Sequence, residues 1–203
     1  AFAYGSESYA VASKLEALGA DYLAVAFTRE GVWLREQGIR LPIMVLHPQP
    51  ESLADLVTHC LEPCLYSRRI LEHFLQTADA QGQKDYPAHL KFNTGLNRLG
   101  FRAEDLGWIS SKINDQRAVA VRSVFSHLAA SDDLGEAVFT RAQIRAFESI
   151  VASSGDLFNS RPFKHLLNTS GVFNYPEAQW DMVRTGIGLY GYSNHPASDA
   201  LLK

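Results

Sequence analysis

Apolar positions along the chain switch repeatedly between two periods. Short runs of consecutive apolar residues alternate with stretches in which apolar residues recur every three or four positions, so strands and amphipathic helices are expected in turn. From Ser8 to Leu18, Val11, Leu15 and Leu18 share one helical face, and Gly19 stops the helix. Tyr22–Phe27 (YLAVAF) reads as a buried strand, followed by a helix over Arg29–Gln37. Pro42–Leu46 (PIMVL) is the next strand, Ser52–Cys60 a helix, and Pro63–Tyr66 extended. Arg68–Ala80 is a helix with Ile70, Leu71, Phe74 and Leu75 facing inward. Strands follow at His89–Asn93 and Val121–Leu128 (VRSVFSHL), a long helix at Phe139–Val151, and further strands at His165–Asn168 and Met182–Gly188.

Seven strands, almost all separated by helices, imply a parallel sheet joined by right-handed crossovers. A doubly wound sheet commonly has five or six strands, and a closed barrel has eight units over about 250 residues. Seven strands preceded by a helix therefore point to the α/β class, as a (β/α)8 TIM barrel whose first strand lies before Ala1. No Gly-rich dinucleotide fingerprint follows the first visible strand, which weakens the doubly wound alternative. No internal repeat or low-complexity tract interrupts the pattern. Asn194–Ser198 (NHPAS) is the one loop that reads as leading towards another domain.

Composition then narrows the classes. The chain has 203 residues, is 46% hydrophobic and 20% charged, and carries a formal net charge of −3. That is ordinary globular usage and excludes a disordered chain or a coiled coil. Scattered Lys and Arg with mild acidity argue against nucleic acid and against a polybasic membrane anchor, and no apolar run reaches the roughly 20 residues that span a bilayer. Cys60 and Cys64 are too few for a disulfide scaffold and read as packing plus a surface thiol, which fits a reducing cytoplasm. The chain begins at Ala1, inside what reads as a motif, as expected of a fragment.

Polar residues collect where the predicted strands end. These are Asn93 and Arg98, His127, Asn168 and Thr169, and Arg184 with Gly186. The carboxyl ends of parallel barrel strands form one face, so these side chains are expected at one mouth. Taken singly they are weak. A lone His127 in an apolar strand is the ordinary pattern of a satisfied structural histidine, and Arg98 in a glycine-containing loop could be a solvated turn residue. Arg184 inside MVRTGIG carries more weight, because a buried guanidinium is costly without a dedicated acceptor. Thr169, Gly186 and Ile187 could offer a hydroxyl and backbone N–H groups to a phosphate, as the last loops of barrels often do. The histidines lack any HExxH-like spacing, so no metal is assigned.

Read together and in order, these segments resemble the barrel domain of alanine racemases, fold-type III pyridoxal-phosphate (PLP) enzymes. Ala1–Gly5 (AFAYG) is similar to the family signature that follows a Lys. His89–Phe101 (HLKFNTGLNRLGF) is similar to its arginine loop. Ser126–Ala129 (SHLA), His165–Ser170 (HLLNTS) and Met182–Gly191 (MVRTGIGLYG) match the remaining blocks. The resemblance implies a PLP-binding (β/α)8 barrel over residues 1–192 and, at 193–203, a loop leading into a C-terminal β-domain. It implies that the cofactor-bearing Lys stands immediately before Ala1. Tyr4, Thr169, Gly186 and Ile187 would hold the cofactor phosphate, and Arg184 would face the pyridine nitrogen, with His127 buttressing it and Asn168 nearby. Arg98 would lie near the phenolic oxygen and the substrate carboxylate. Lys91 would buttress Arg98 and is carbamylated in some members. The sequence departs at Asn93, where Asp is common, and at Ser6–Glu7, which replace His-Gly; Asn93 alters the charge expected around Lys91.

The implied activity is interconversion of L- and D-alanine for peptidoglycan by a cytoplasmic homodimer with composite active sites, through proton transfer by two bases. Its substrate is a small amino acid. Alternatives are a racemase of the same fold type acting on serine or lysine, and a non-catalytic PLP-binding homeostasis barrel. Ala1–Ser8 also resembles racemases fused to a cell-wall ligase. By the resemblance, the two proton-transferring groups are the Lys before Ala1 and a Tyr of the partner's β-domain. The 203 residues would then carry the cofactor cradle.

Overall fold

A computed structural model of the chain describes residues 2–155, 157, 158 and 160–193. The chain forms two compact units: Ala1–His89 with Lys112–Ala120, and Leu90–Ser111 with Val121–Lys203. The seven strands are ordered as they occur along the chain, and helices separate them, as the sequence pattern predicts.

In the first unit, β1 (Leu23–Val25), β2 (Ile43–Val45) and β3 (Glu62–Leu65) pair in parallel. Leu23 lies opposite Ile43 and Met44 opposite Glu62. The helix Arg68–Ala80 has the predicted bounds. Ser67 caps it by accepting from the Ile70 N–H at 3.3 Å, and Ile70, Leu71, Phe74 and Leu75 are buried as their spacing requires. Glu7 caps the helix Ser8–Ala17 in the same way, accepting from the N–H groups of Tyr9 and Ala10. Arg35, on the helix Thr28–Glu36, donates to the carbonyls of Ile39, Leu41, His59 and Cys60 and so ties two loops together. Cys64 is buried and Cys60 exposed, matching packing plus a surface thiol.

β4 (Tyr86–Lys91) and β5 (Val119–Phe125) each begin in the first unit and end in the second. In the second unit β5, β6 (Phe163–Asn168) and β7 (Met182–Arg184) pair in parallel, with Phe125 opposite His165. β6 and β7 shift register between His165 and Asn168, so that Asn168 lies opposite Arg184. Val124, Phe125, Phe147, Leu166 and Leu167 form the buried core here.

Two differences from the sequence expectation have physical reasons. The pattern gave no helix between Asn93 and Val121, yet Leu106–Gln116 is helical, with Leu106, Ile109 and Ile113 buried. Those three residues form a short apolar stripe diluted by Ser, Lys, Asn and Asp. The strand ending at Asn168 runs directly into a helix, Thr169–Asn174, because Asn168 Oδ1 accepts from the Gly171 N–H at 2.9 Å. β1, β2 and β7 are three residues each and so shorter than their predicted runs, whereas β4 begins at Tyr86 and β6 at Phe163, earlier than the predicted His89 and His165. Ala1 and the predicted loop from Asn194 onward lie outside the described residues. Among the described residues no helix is long and apolar enough to cross a membrane.

Candidate functional site

The second unit concentrates its polar chemistry on Arg184. Its side chain is donor-only, and four acceptors surround it. Nη1 meets His165 Nδ1, while Nη2 donates to the Ser126 carbonyl at 2.7 Å, the Leu166 carbonyl at 3.2 Å and His127 Nδ1 at 3.1 Å. The guanidinium carbon lies 5.1 Å above the Phe125 ring. The register shift between β6 and β7 falls on the stretch that supplies the Leu166 carbonyl. Four acceptors and an aromatic face offset the cost of withdrawing this charge from water.

Because guanidinium cannot accept, both imidazoles must present a lone pair at Nδ1 and carry their proton on Nε2. His127 is therefore neutral. Burial first, and then the charges of Arg184, Lys91 and Arg98, push its pKa down to about 3. His165 is fully buried, stacks on Phe125 at 4.6 Å, and directs Nε2 at Ser123 Oγ, 2.9 Å away. The four acceptors named here are all neutral groups, so none of them neutralises the guanidinium charge.

A second cluster lies at Thr169. This buried hydroxyl accepts from the backbone N–H groups of Gly186 at 3.0 Å and Gly188 at 3.3 Å. Ile187 lies between them and opens a short 3-10 turn. Such a grouping of one hydroxyl and successive backbone N–H groups suits a phosphate.

Asn168 sits between the two clusters in sequence, but its side-chain oxygen serves the scaffold. It accepts from Ser131 Oγ at 2.7 Å as well as from Gly171.

The loop from Asn93 to Gly100 carries Arg98, which is exposed, and follows Lys91, which is buried. Asn93 builds it. Its Oδ1 accepts from the N–H groups of Gly95 at 3.1 Å and Asn97 at 3.0 Å, and its Nδ2 donates to Asn97 Oδ1 at 2.9 Å. A carboxylate could accept but not donate, which accounts for Asn at this position. The base of the loop closes through two backbone bonds, Phe101 N–H to the Lys91 carbonyl at 2.9 Å and Asn93 N–H to the Phe101 carbonyl at 2.8 Å.

The structure thus brings His127 and Arg184 into contact, joins Thr169 to Gly186, and sets Lys91 and Arg98 close enough to act on His127. Tyr4 belongs to the first unit, is 67% exposed, and has left-handed backbone (φ 59°) after Ala3 (φ 45°). Three residues were not foreseen as parts of the site: His165, Ser123 and Ser126. A His inside an apolar strand beside a strand bearing a part-buried Arg was the available signal, and only strand pairing makes it specific.

Comparison with known proteins identifies the family and the fold. The family described as "Alanine racemase, N-terminal domain" matches residues 1–194. The chain is 33% identical to an alanine racemase of Treponema denticola over 98% of its own length and 53% of that protein's. It is similar to the crystal structure of alanine racemase from D-cycloserine-producing Streptomyces lavendulae, with a TM-score of 0.89 and 28% identity over 99% of this chain and 54% of that one. A Clostridium difficile 630 alanine racemase in complex with cycloserine gives a TM-score of 0.88 at 30% identity, covering 98% of this chain and 54% of the other. The chain spans about half the length of the curated relatives it matches. The seven-stranded α/β arrangement is that of a partial TIM barrel, and the chain belongs to the alanine racemase N-terminal domain family.

Proposed function

We infer that the full-length protein carrying this chain is a PLP-dependent alanine racemase, interconverting L- and D-alanine for peptidoglycan synthesis. The observation that carries the reading is Arg184, a charged donor held by two neutral imidazoles and two carbonyls in a chain of this family. The donor set suits PLP: a hydroxyl with neighbouring backbone N–H groups for a phosphate, and a donor-only guanidinium for a ring nitrogen that has a lone pair. When bound, PLP supplies the electron-withdrawing ring that makes the α-proton of an attached amino acid removable.

The residues of this chain bind and orient. Thr169, Gly186 and Ile187 would hold the phosphate, and Asn168 fixes the segment carrying Thr169; a part for Tyr4 there rests on the family resemblance of Ala1–Gly5 alone. Arg184 would donate to the ring nitrogen and keep its own proton, since guanidinium stays charged at any working pH. His127 and His165 aim it and stay neutral. Arg98 takes the substrate carboxylate, and Lys91 supports it from the end of β4. The proton-transferring groups belong to the rest of the protein, in a cytoplasmic homodimer whose sites are composite.

Visible absorbance from the bound cofactor, discharged by borohydride, tests the cofactor; its absence from the full-length protein removes PLP from the account. A chiral assay then tests the substrate. Formation of D-alanine from L-alanine is expected. Turnover of serine or lysine alone would reassign the substrate, and bound cofactor with no racemisation would favour a homeostatic barrel.

A further inference from the structure

Two buried histidines, one in each unit, meet opposite kinds of acceptor. Both His89 and His165 are fully buried. His89 directs Nε2 at the Glu62 carboxylate, 2.9 Å away, whereas His165 directs Nε2 at the Ser123 hydroxyl, also 2.9 Å away. A carboxylate partner favours an imidazolium; a hydroxyl does not. The distinction matters for His165 because its Nδ1 accepts from Arg184, and an imidazolium has no lone pair to offer there. Its ring faces Phe125, stacked at 4.6 Å and 6°, with Phe163 at 5.8 Å, and these apolar neighbours also disfavour charge.

The strand register makes the contact specific. Ser123 pairs with Phe163 and Phe125 with His165, so Ser123 and His165 are diagonal neighbours across β5 and β6. His165 lies opposite Met182, two residues before Arg184 on β7. One polar line therefore crosses three adjacent strands, from Ser123 through His165 to Arg184.

We propose that Ser123 is a positioning residue for Arg184, its hydroxyl accepting the Nε2 proton of His165 and so holding that ring in the neutral form whose Nδ1 orients the guanidinium. The assignment deepens the reading of Arg184 as the donor to the cofactor ring and rests on it. Asp at position 123 would be an acceptor of the wrong charge. It would draw a second proton onto His165, place two cations side by side, and turn Arg184 away.

The test is the protonation state of His165, read by 15N NMR in the full-length protein labelled at histidine. The signal is assigned by its loss in His165→Gln and recorded with and without PLP. The wild type is expected to carry its proton on Nε2 with Nδ1 as an acceptor at neutral pH. In Ser123→Asp both nitrogens should be protonated and the racemisation kcat should fall about 10- to 100-fold, as for the loss of a charge-assisted hydrogen bond, with KM changed much less. Ser123→Thr, which keeps the hydroxyl, should retain the neutral ring. A wild-type His165 that is protonated on Nδ1 overturns the proposal whatever the variants do. So does a Ser123→Asp protein with a neutral His165 and unchanged kcat. The expected ring form in a protein that binds no PLP would sink the cofactor reading and leave the Ser123–His165 assignment standing.

Discussion

Replacing Gly100 with Ala probes the loop that carries Arg98. Gly100 has φ +139°, a region that L side chains rarely adopt, and a Cβ there would stand 2.5 Å from the Asn93 nitrogen and 2.6 Å from the Phe92 carbonyl carbon. Both are backbone atoms, so no rotamer change relieves the collision. The neighbouring backbone bonds, Asn93 N–H to the Phe101 carbonyl and Phe101 N–H to the Lys91 carbonyl, must break to make room. Glycine-only backbone costs about 1–3 kcal/mol for another residue, and each lost backbone bond adds about 1 kcal/mol. The expected destabilisation is about 3–5 kcal/mol, a large share of a typical folding free energy of about 5–15 kcal/mol. Urea unfolding of the full-length variant reads it as a lower midpoint at unchanged slope. Hydrogen exchange at the Asn93 and Phe101 amides should accelerate more than in the helix Arg68–Ala80, because the strain is local. A midpoint within experimental error of the wild type would refute the argument that this glycine is required by a close approach of backbone.

His127 makes stability fall in acid. Its folded pKa of about 3 lies below the unfolded value of 6.5, so the unfolded chain binds more protons between these limits. Stability is therefore complete above pH 6.5 and declines as pH falls towards 3. The span sets a ceiling of about 5 kcal/mol, which solvent around this half-buried ring reduces to about 2 kcal/mol. His127→Gln should flatten the urea-midpoint profile in that window, and an unaltered slope would count against burial beside Arg184 as the cause. Thr169→Val should weaken PLP binding about tenfold or more, the effect of losing a hydroxyl bond to a charged group, whereas Thr169→Ser should keep it. Equal affinities by cofactor titration would remove Thr169 from the phosphate site.

Much of the fold was legible from the chain because burial follows periodicity. The helix Arg68–Ala80 carries its whole inward face in the spacing of Ile70, Leu71, Phe74 and Leu75. The apolar runs YLAVAF and PIMVL mark strands that pair in parallel. The helix Leu106–Gln116 was not legible, since Leu106, Ile109 and Ile113 among mostly polar neighbours give a weak period until a core exists to receive them. Arg184 was recognisable as costly to bury, and the five ordered motif blocks pointed to the family that residues 1–194 match.

What sequence could not decide was which groups meet that arginine. His165 and Ser123 lie 19 and 42 residues from their partners along the chain, and neither stands out from its neighbours in an apolar strand. Their roles depend on the register of β5 against β6 and on the irregularity between β6 and β7, which no local pattern encodes. The same holds for charge state. A histidine reads alike in sequence beside a carboxylate or a hydroxyl, and only the packed strands place His89 against Glu62 and His165 against Ser123. Side-chain period is a property of neighbours along the chain, whereas protonation is a property of neighbours across the sheet.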